Sequence, residues 1–102
     1  MEYRTLGRTG LRVSAIGLGT EYLLNKPQET FNEVIRAAVD GGVNYIDAFF
    51  ADPVFRDELG IALRSQRQKV HISGHLGAVV HPDGQGGVSR DLGDVVAAVM
   101  QV

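Results

Sequence analysis

The sequence contains no cysteine and no tryptophan, and only 2 methionines and 3 prolines in 102 residues. Without cysteine, these residues offer no disulfide frame, no thiol nucleophile and no thiolate ligand for zinc or an iron–sulfur cluster. Long apolar runs are also missing, and nothing approaches the roughly 20 consecutive apolar residues that cross a bilayer as a helix. The opening Met1-Glu2-Tyr3-Arg4 lacks the basic-then-apolar layout of a secretory signal. Positive charge is not in excess: 10 Lys and Arg against 12 Asp and Glu give a net charge of −2. With a pI near 5.8 and no basic run, the chain has no electrostatic case for nucleic acid. These absences lead us to expect a cytoplasmic protein with neither a membrane nor a nucleic-acid partner.

What is present is ordinary for one globular domain with a modest core: 44% hydrophobic and 22% charged residues. The first turn signals, Leu6-Gly7-Arg8 and Thr9-Gly10, separate short runs at Tyr3–Leu6 and Leu11–Val13 and predict a β-hairpin. Ala15–Thr20 reads as a buried strand, in which Gly17 and Gly19 permit close backbone packing. The alternative, a phosphate loop, lacks the third glycine and a helix start directly after it. Pro27 suits the first position of a helix. Phe31, Val34, Ile35, Ala38 and Val39 then form one apolar stripe, which Asp40-Gly41-Gly42 stops.

The stretch Val43-Asn44-Tyr45-Ile46-Asp47 predicts a short buried strand that ends in an acid and turns into a helix. Asp52-Pro53 is an N-cap followed by a first-turn proline. Phe55, Leu59, Ala62 and Leu63 line the inner face of that helix, with Glu58 and Arg64 outside. Ser65–Lys69 is a polar loop into a further strand, Val70–Ser73, which ends at Gly74-His75. His81–Gly87 reads as a turn-rich loop, and Ser89 caps a third helix with Leu92, Val95, Val96, Val99 and Met100 on one face. Strands alternating with helices imply a parallel sheet, with Asp47 and His75 on the rim where β/α barrels carry their chemistry.

Those residues resemble the start of an aldo-keto reductase. The similarity runs through Met1–Ser14, Ile16–Thr20, Ala37–Asp47, Glu58–Leu63 and Arg67–Val70, nearly the whole chain in the right order. The resemblance implies an α/β fold: a partial (β/α)8 TIM barrel of parallel strands, with an N-terminal hairpin and about three βα units. Residues 1–102 are then the N-terminal portion of a barrel domain, expected to be a fragment or truncated form. It further implies an oxidoreductase that moves a hydride between NADP(H) and a small-molecule carbonyl or alcohol. The nucleotide sits mainly on the C-terminal half in that family, so residues 1–102 are not expected to hold it tightly.

The family's catalytic set is an aspartate, a tyrosine, a lysine and a histidine. Asp47 matches the aspartate, Asp52 stands in the tyrosine's place and His75 in the lysine's, while the histidine's place lies beyond Val102. An ordinary aspartate is ionised at neutral pH and has no proton to give, whereas a histidine can act as an acid there. Asp52-Pro53, Gly19–Leu23 and Ser73–Gly77 resemble a divergent branch often fused to a ferredoxin-like iron–sulfur module.

Each candidate has a plainer reading. Asp47 is a rim catalyst or an acceptor for βα-turn amides; Asp52 is better explained as the N-cap; His75 is an acid/base or a hydrogen-bonded structural histidine. Tyr22 and Phe49 are expected as substrate-pocket walls. His71, by strand alternation, faces the barrel interior as a satisfied core histidine. A metal triad of Asp47, Asp52 and His75 lacks supporting spacing, and no metal is expected. A second functional class remains open: a non-catalytic remnant or interaction module that folds by association through open sheet edges. The choice turns on whether the natural protein is longer. If the barrel reading holds, its intact mass from source cells will be at least about twice 11.0 kDa, since a closed barrel takes roughly 250 residues.

Overall fold

The computed structural model describes residues 1–76 in full and two further strands, Ala78–Val80 and Gly86–Val88, at the level of backbone pairing. The helix expected from Ser89 lies outside the described residues. Strands β1 (Tyr3–Thr5) and β2 (Arg12–Ser14) pair antiparallel, with Tyr3 opposite Ser14, as the turn signals require. Three parallel strands follow in the order β3 (Leu18–Gly19), β4 (Tyr45–Ala48), β5 (His71–Gly74). The register aligns Leu18, Ile46 and Ile72 in one row and Gly19, Asp47 and Ser73 in the next. Helix α1 (Gln28–Asp40) joins β3 to β4, and α2 (Pro53–Leu63) joins β4 to β5.

Both helices cover one face of this sheet. Phe31 and Ile35 from α1, and Phe55, Leu59 and Leu63 from α2, pack with Ile46, Ala48 and Val70 in the core. Phe31 and Phe55 are 0% and 1% exposed, and each side chain contributes about 1.5–3 kcal/mol by leaving water. Their rings meet edge to face at 5.5 Å, and Gln28 Nε2 donates to the Glu58 carbonyl at 2.9 Å, so the helices are tied directly. Helix α1 ends in a Schellman arrangement: the Val43 amide donates to the Ala38 carbonyl and the Gly42 amide to the Val39 carbonyl. Gly42 has φ +95°, the left-handed region where a side chain is strained.

The hairpin is fastened to the start of β4. Asn44 Oδ1 accepts from the Ser14 amide at 2.7 Å, and its Nδ2 donates to the Arg12 carbonyl at 2.9 Å. The Tyr3 hydroxyl donates to the Gly42 carbonyl at 2.7 Å.

Several boundaries differ from the expectation. Of Ala15–Thr20 only Leu18–Gly19 is strand, because only those residues find a partner in β4. The run is not buried as expected, since Ile16 is exposed and only Thr20 is covered. The glycine reading holds for Gly17, where a Cβ would stand 3.0 Å from Tyr45 Cδ1, while Gly19 faces only the Glu21 side chain. Pro27 is the N-cap rather than the first helical residue; its extended backbone (ψ 152°) presents a carbonyl to the Thr30 and Phe31 amides. Strands β4 and β5 begin later than expected, at Tyr45 and His71, because Val43 completes the α1 cap and Val70 closes a 3-10 turn. Glu58 is half-buried beside Gln28 rather than fully outside. Finally, β6 (Ala78–Val80) and β7 (Gly86–Val88) form an antiparallel hairpin, so Gly86 and Gly87 belong to a strand and not to a loop.

Gly42→Ala tests the cap. A Cβ there would lie 2.9 Å from Met1 Cβ and 3.0 Å from the Tyr3 hydroxyl, besides straining the backbone. Denaturant unfolding should show a loss of about 1–3 kcal/mol.

Candidate functional site

A strand turns successive side chains to opposite faces, so burying Ile46 and Ala48 under the helices sends Tyr45 and Asp47 to the other face. Ser73, in register with Asp47, shares that face. His75 follows just beyond the end of β5 and closes onto Asp47: Nε2 stands 2.8 Å from Oδ1. The two side chains keep 38% and 29% of their surface accessible, which makes a rim pair open to small molecules. The aspartate carboxylate is therefore engaged with a side chain through Oδ1.

An ionised carboxylate oxygen needs a donor at this distance, so the pairing puts a proton on Nε2 and leaves Nδ1 as the nitrogen that can exchange a proton with a ligand. Phe49 meets the imidazole edge to face, with ring centroids 4.8 Å apart. Beneath the pair, the Thr20 hydroxyl donates to the Asp47 carbonyl at 2.6 Å, from a residue with no exposed surface. Thr20 went unnoticed in the sequence reading; the available signal was a hydroxyl closing the apolar run Leu18-Gly19 at a strand end.

The other candidates stand apart from this pair. Asp52 caps α2, its Oδ1 accepting from the Val54 amide at 3.2 Å, as Asp-Pro predicts. Tyr22, on the 3-10 turn Glu21–Leu23 after β3, is 91% exposed. His71 is half-buried on β5 opposite Tyr45. Among the described residues no group of three His, Asp or Glu side chains is placed to hold a metal. Arg56 Nε donates to the Phe50 carbonyl at 2.9 Å, and desolvation lowers the pKa of its guanidinium below the usual arginine value. It stays cationic at neutral pH all the same. A cleft of about 380 Å³ between α2 and the sheet, floored by Ala48, Leu59, Leu63 and Ile72, opens on the helix side, away from Asp47.

Thr20→Val removes the donor and leaves the Asp47 carbonyl unpaired in a buried setting. Unfolding by denaturant should show a loss of about 1–3 kcal/mol, most of it recovered by Thr20→Ser.

No protein-family model matches the sequence. Two solved structures, both assigned as aldo-keto reductases of Pseudomonas aeruginosa, align with 97% of this chain at 30% identity and TM-scores of 0.77 and 0.78. The chain spans about two fifths of their length, 39% and 40%. The alternation of parallel strands and helices and the hairpin before it thus sit on a known frame. The chain has an aldo-keto reductase-like fold, as an open part of that family's β/α barrel.

Proposed function

We propose that residues 1–102 form the rim-bearing N-terminal part of an oxidoreductase that interconverts a small-molecule carbonyl and its alcohol, with NADP(H) as the redox partner implied by family. The observation that carries this reading is the 2.8 Å contact between Asp47 and His75 at the C-terminal ends of adjacent parallel strands. There a titratable nitrogen, oriented by a carboxylate, faces the side of the sheet that a barrel encloses.

Gly19 does not fit the phosphates of the nucleotide. Gly19 has the Glu21 carboxylate over it, 2.9 Å from the position of a Cβ, and a negative charge there repels a pyrophosphate. Nucleotide binding is therefore not assigned to this part of the fold, and what these residues supply is the proton. In the cationic state His75 donates from Nδ1 to the oxygen of a reacting carbonyl and becomes neutral, while Nε2 keeps its hydrogen bond to Asp47. In the reverse direction Nδ1 takes the hydroxyl proton. On this reading His75 takes the role that tyrosine and lysine share in the family, with Asp47 as orienter and Asp52 left to cap its helix. The iron–sulfur fusion and the cytoplasmic location belong to this proposal on resemblance and composition alone.

The second reading, association through sheet edges, is supported by β3 and β5, each of which pairs on one side only among the described residues. Light scattering separates the two: a discrete dimer or larger assembly of the 102-residue chain favours association, and a folded monomer counts against it.

In the natural protein, His75→Gln and Asp47→Asn should lower NADPH-dependent carbonyl reduction by about 10²-fold or more, with far smaller changes in the unfolding midpoint. Parallel losses of turnover and stability would make Asp47 a structural aspartate and sink the proposal.

A further inference from the structure

We propose that Phe49 is a positioning residue, the wedge that keeps the His75 imidazole turned onto Asp47. His75 lies just beyond the last residue of β5, and the pairing of that strand fixes backbone and not the turn of an imidazole about its own side-chain bonds. Both members of the pair are partly exposed, and an exposed ion pair seldom orders its own side chains against rotamer entropy and solvent screening. Something else has to fix the ring, and Phe49 is placed to do so.

The Phe49 ring meets His75 at 4.8 Å and 79°, close to the preferred edge-to-face geometry. It is itself held by a ladder of such contacts that runs down into the core. Phe49 meets Phe50 at 5.3 Å, Phe50 meets Phe55 at 5.4 Å, and Phe55 meets Phe31 at 5.5 Å. The last two rings are fully buried, and Arg56 pins the backbone of Phe50 through its carbonyl. The orientation of a rim imidazole is thereby referred to the packing of α1 against α2. Other large apolar side chains at this end of the sheet, Tyr22 and Leu76, are 91% and 75% exposed and take no part in the ladder. This role for Phe49 differs from a wall that contacts substrate. Its consequence for catalysis rests on His75 being the proton donor, but the positioning itself does not.

The test follows the His75 imidazole by ¹⁵N NMR across a pH titration of the 102-residue chain, with resonances assigned by His75→Gln. Asp47→Asn gives the displacement of the midpoint that follows loss of the pair. Phe49→Leu should move the midpoint in the same direction by at least half as much, Phe49→Tyr should leave it in place, and His71 should titrate as before in all of them. In the Asp47→Asn background Phe49→Leu should have no further effect, because a positioning residue acts through the contact it positions. An unchanged midpoint in Phe49→Leu, or an equal shift in both backgrounds, overturns the proposal; the second result would mean that the ring acts on the imidazole directly. Backbone amide spectra check folding, and Phe49→Met serves if the leucine variant is unfolded. Turnover is read separately, so a chain that passes this titration while His75→Gln keeps full activity retains the positioning role and loses the catalytic one.

Discussion

The pleat of β4 is the constraint on which the rest of the structure depends. Ile46 and Ala48 are drawn under α1 and α2 by apolar burial, and the alternation of a strand leaves Asp47 no choice of face. A slip of one residue would bury the carboxylate among phenylalanines and expose isoleucine, so register here is held by the whole helix-covered core. The position of the acid is thus a by-product of hydrophobic packing, and its precision comes from the many contacts behind it rather than from any bond it makes itself.

Around that strand, a few side chains convert packing into a fixed frame. Asn44 and Ser14 join the hairpin to the start of β4, with the Ser14 hydroxyl accepting from the Asn44 amide at 3.1 Å and donating to the Ile16 carbonyl at 2.7 Å. Thr20 fastens the other end, from the close of β3 to the backbone of Asp47. Both ends of the strand are therefore tied to the strand or hairpin preceding it. Buried hydroxyls and amides in such positions carry more weight than their single-bond energies, since each would leave an orphaned partner if removed.

On the proposed function, the residues at this rim differ from the catalytic set that the family resemblance implies. A tyrosine lowered by a lysine gives a neutral acid beside a permanent cation. A histidine facing an aspartate is a different device, in which a carboxylate that accepts orients the ring nitrogen that donates to it.

Much of this was legible in the sequence. The hairpin, the apolar stripe of α1, the glycine stop at Gly42, the Asp52 cap and the acid at the end of a strand are local matters, set by periodicity of 3.6 or 2, by positive φ and by capping chemistry within a few residues. The resemblance carried by the opening motif and by Ala37–Asp47 also anticipated the barrel frame that the comparisons support. Strand ends were misplaced by one to three residues because pairing with a distant partner decides them, and the β6–β7 hairpin was missed because its glycines read as turn. Three relations only the tertiary structure decided: that His75 closes on Asp47, that Thr20 holds the carbonyl beneath, and that the Phe49 ring meets the imidazole edge to face. Each joins residues from different strands or loops, and no local pattern encodes the distance between side chains that meet only after parallel strands are set side by side.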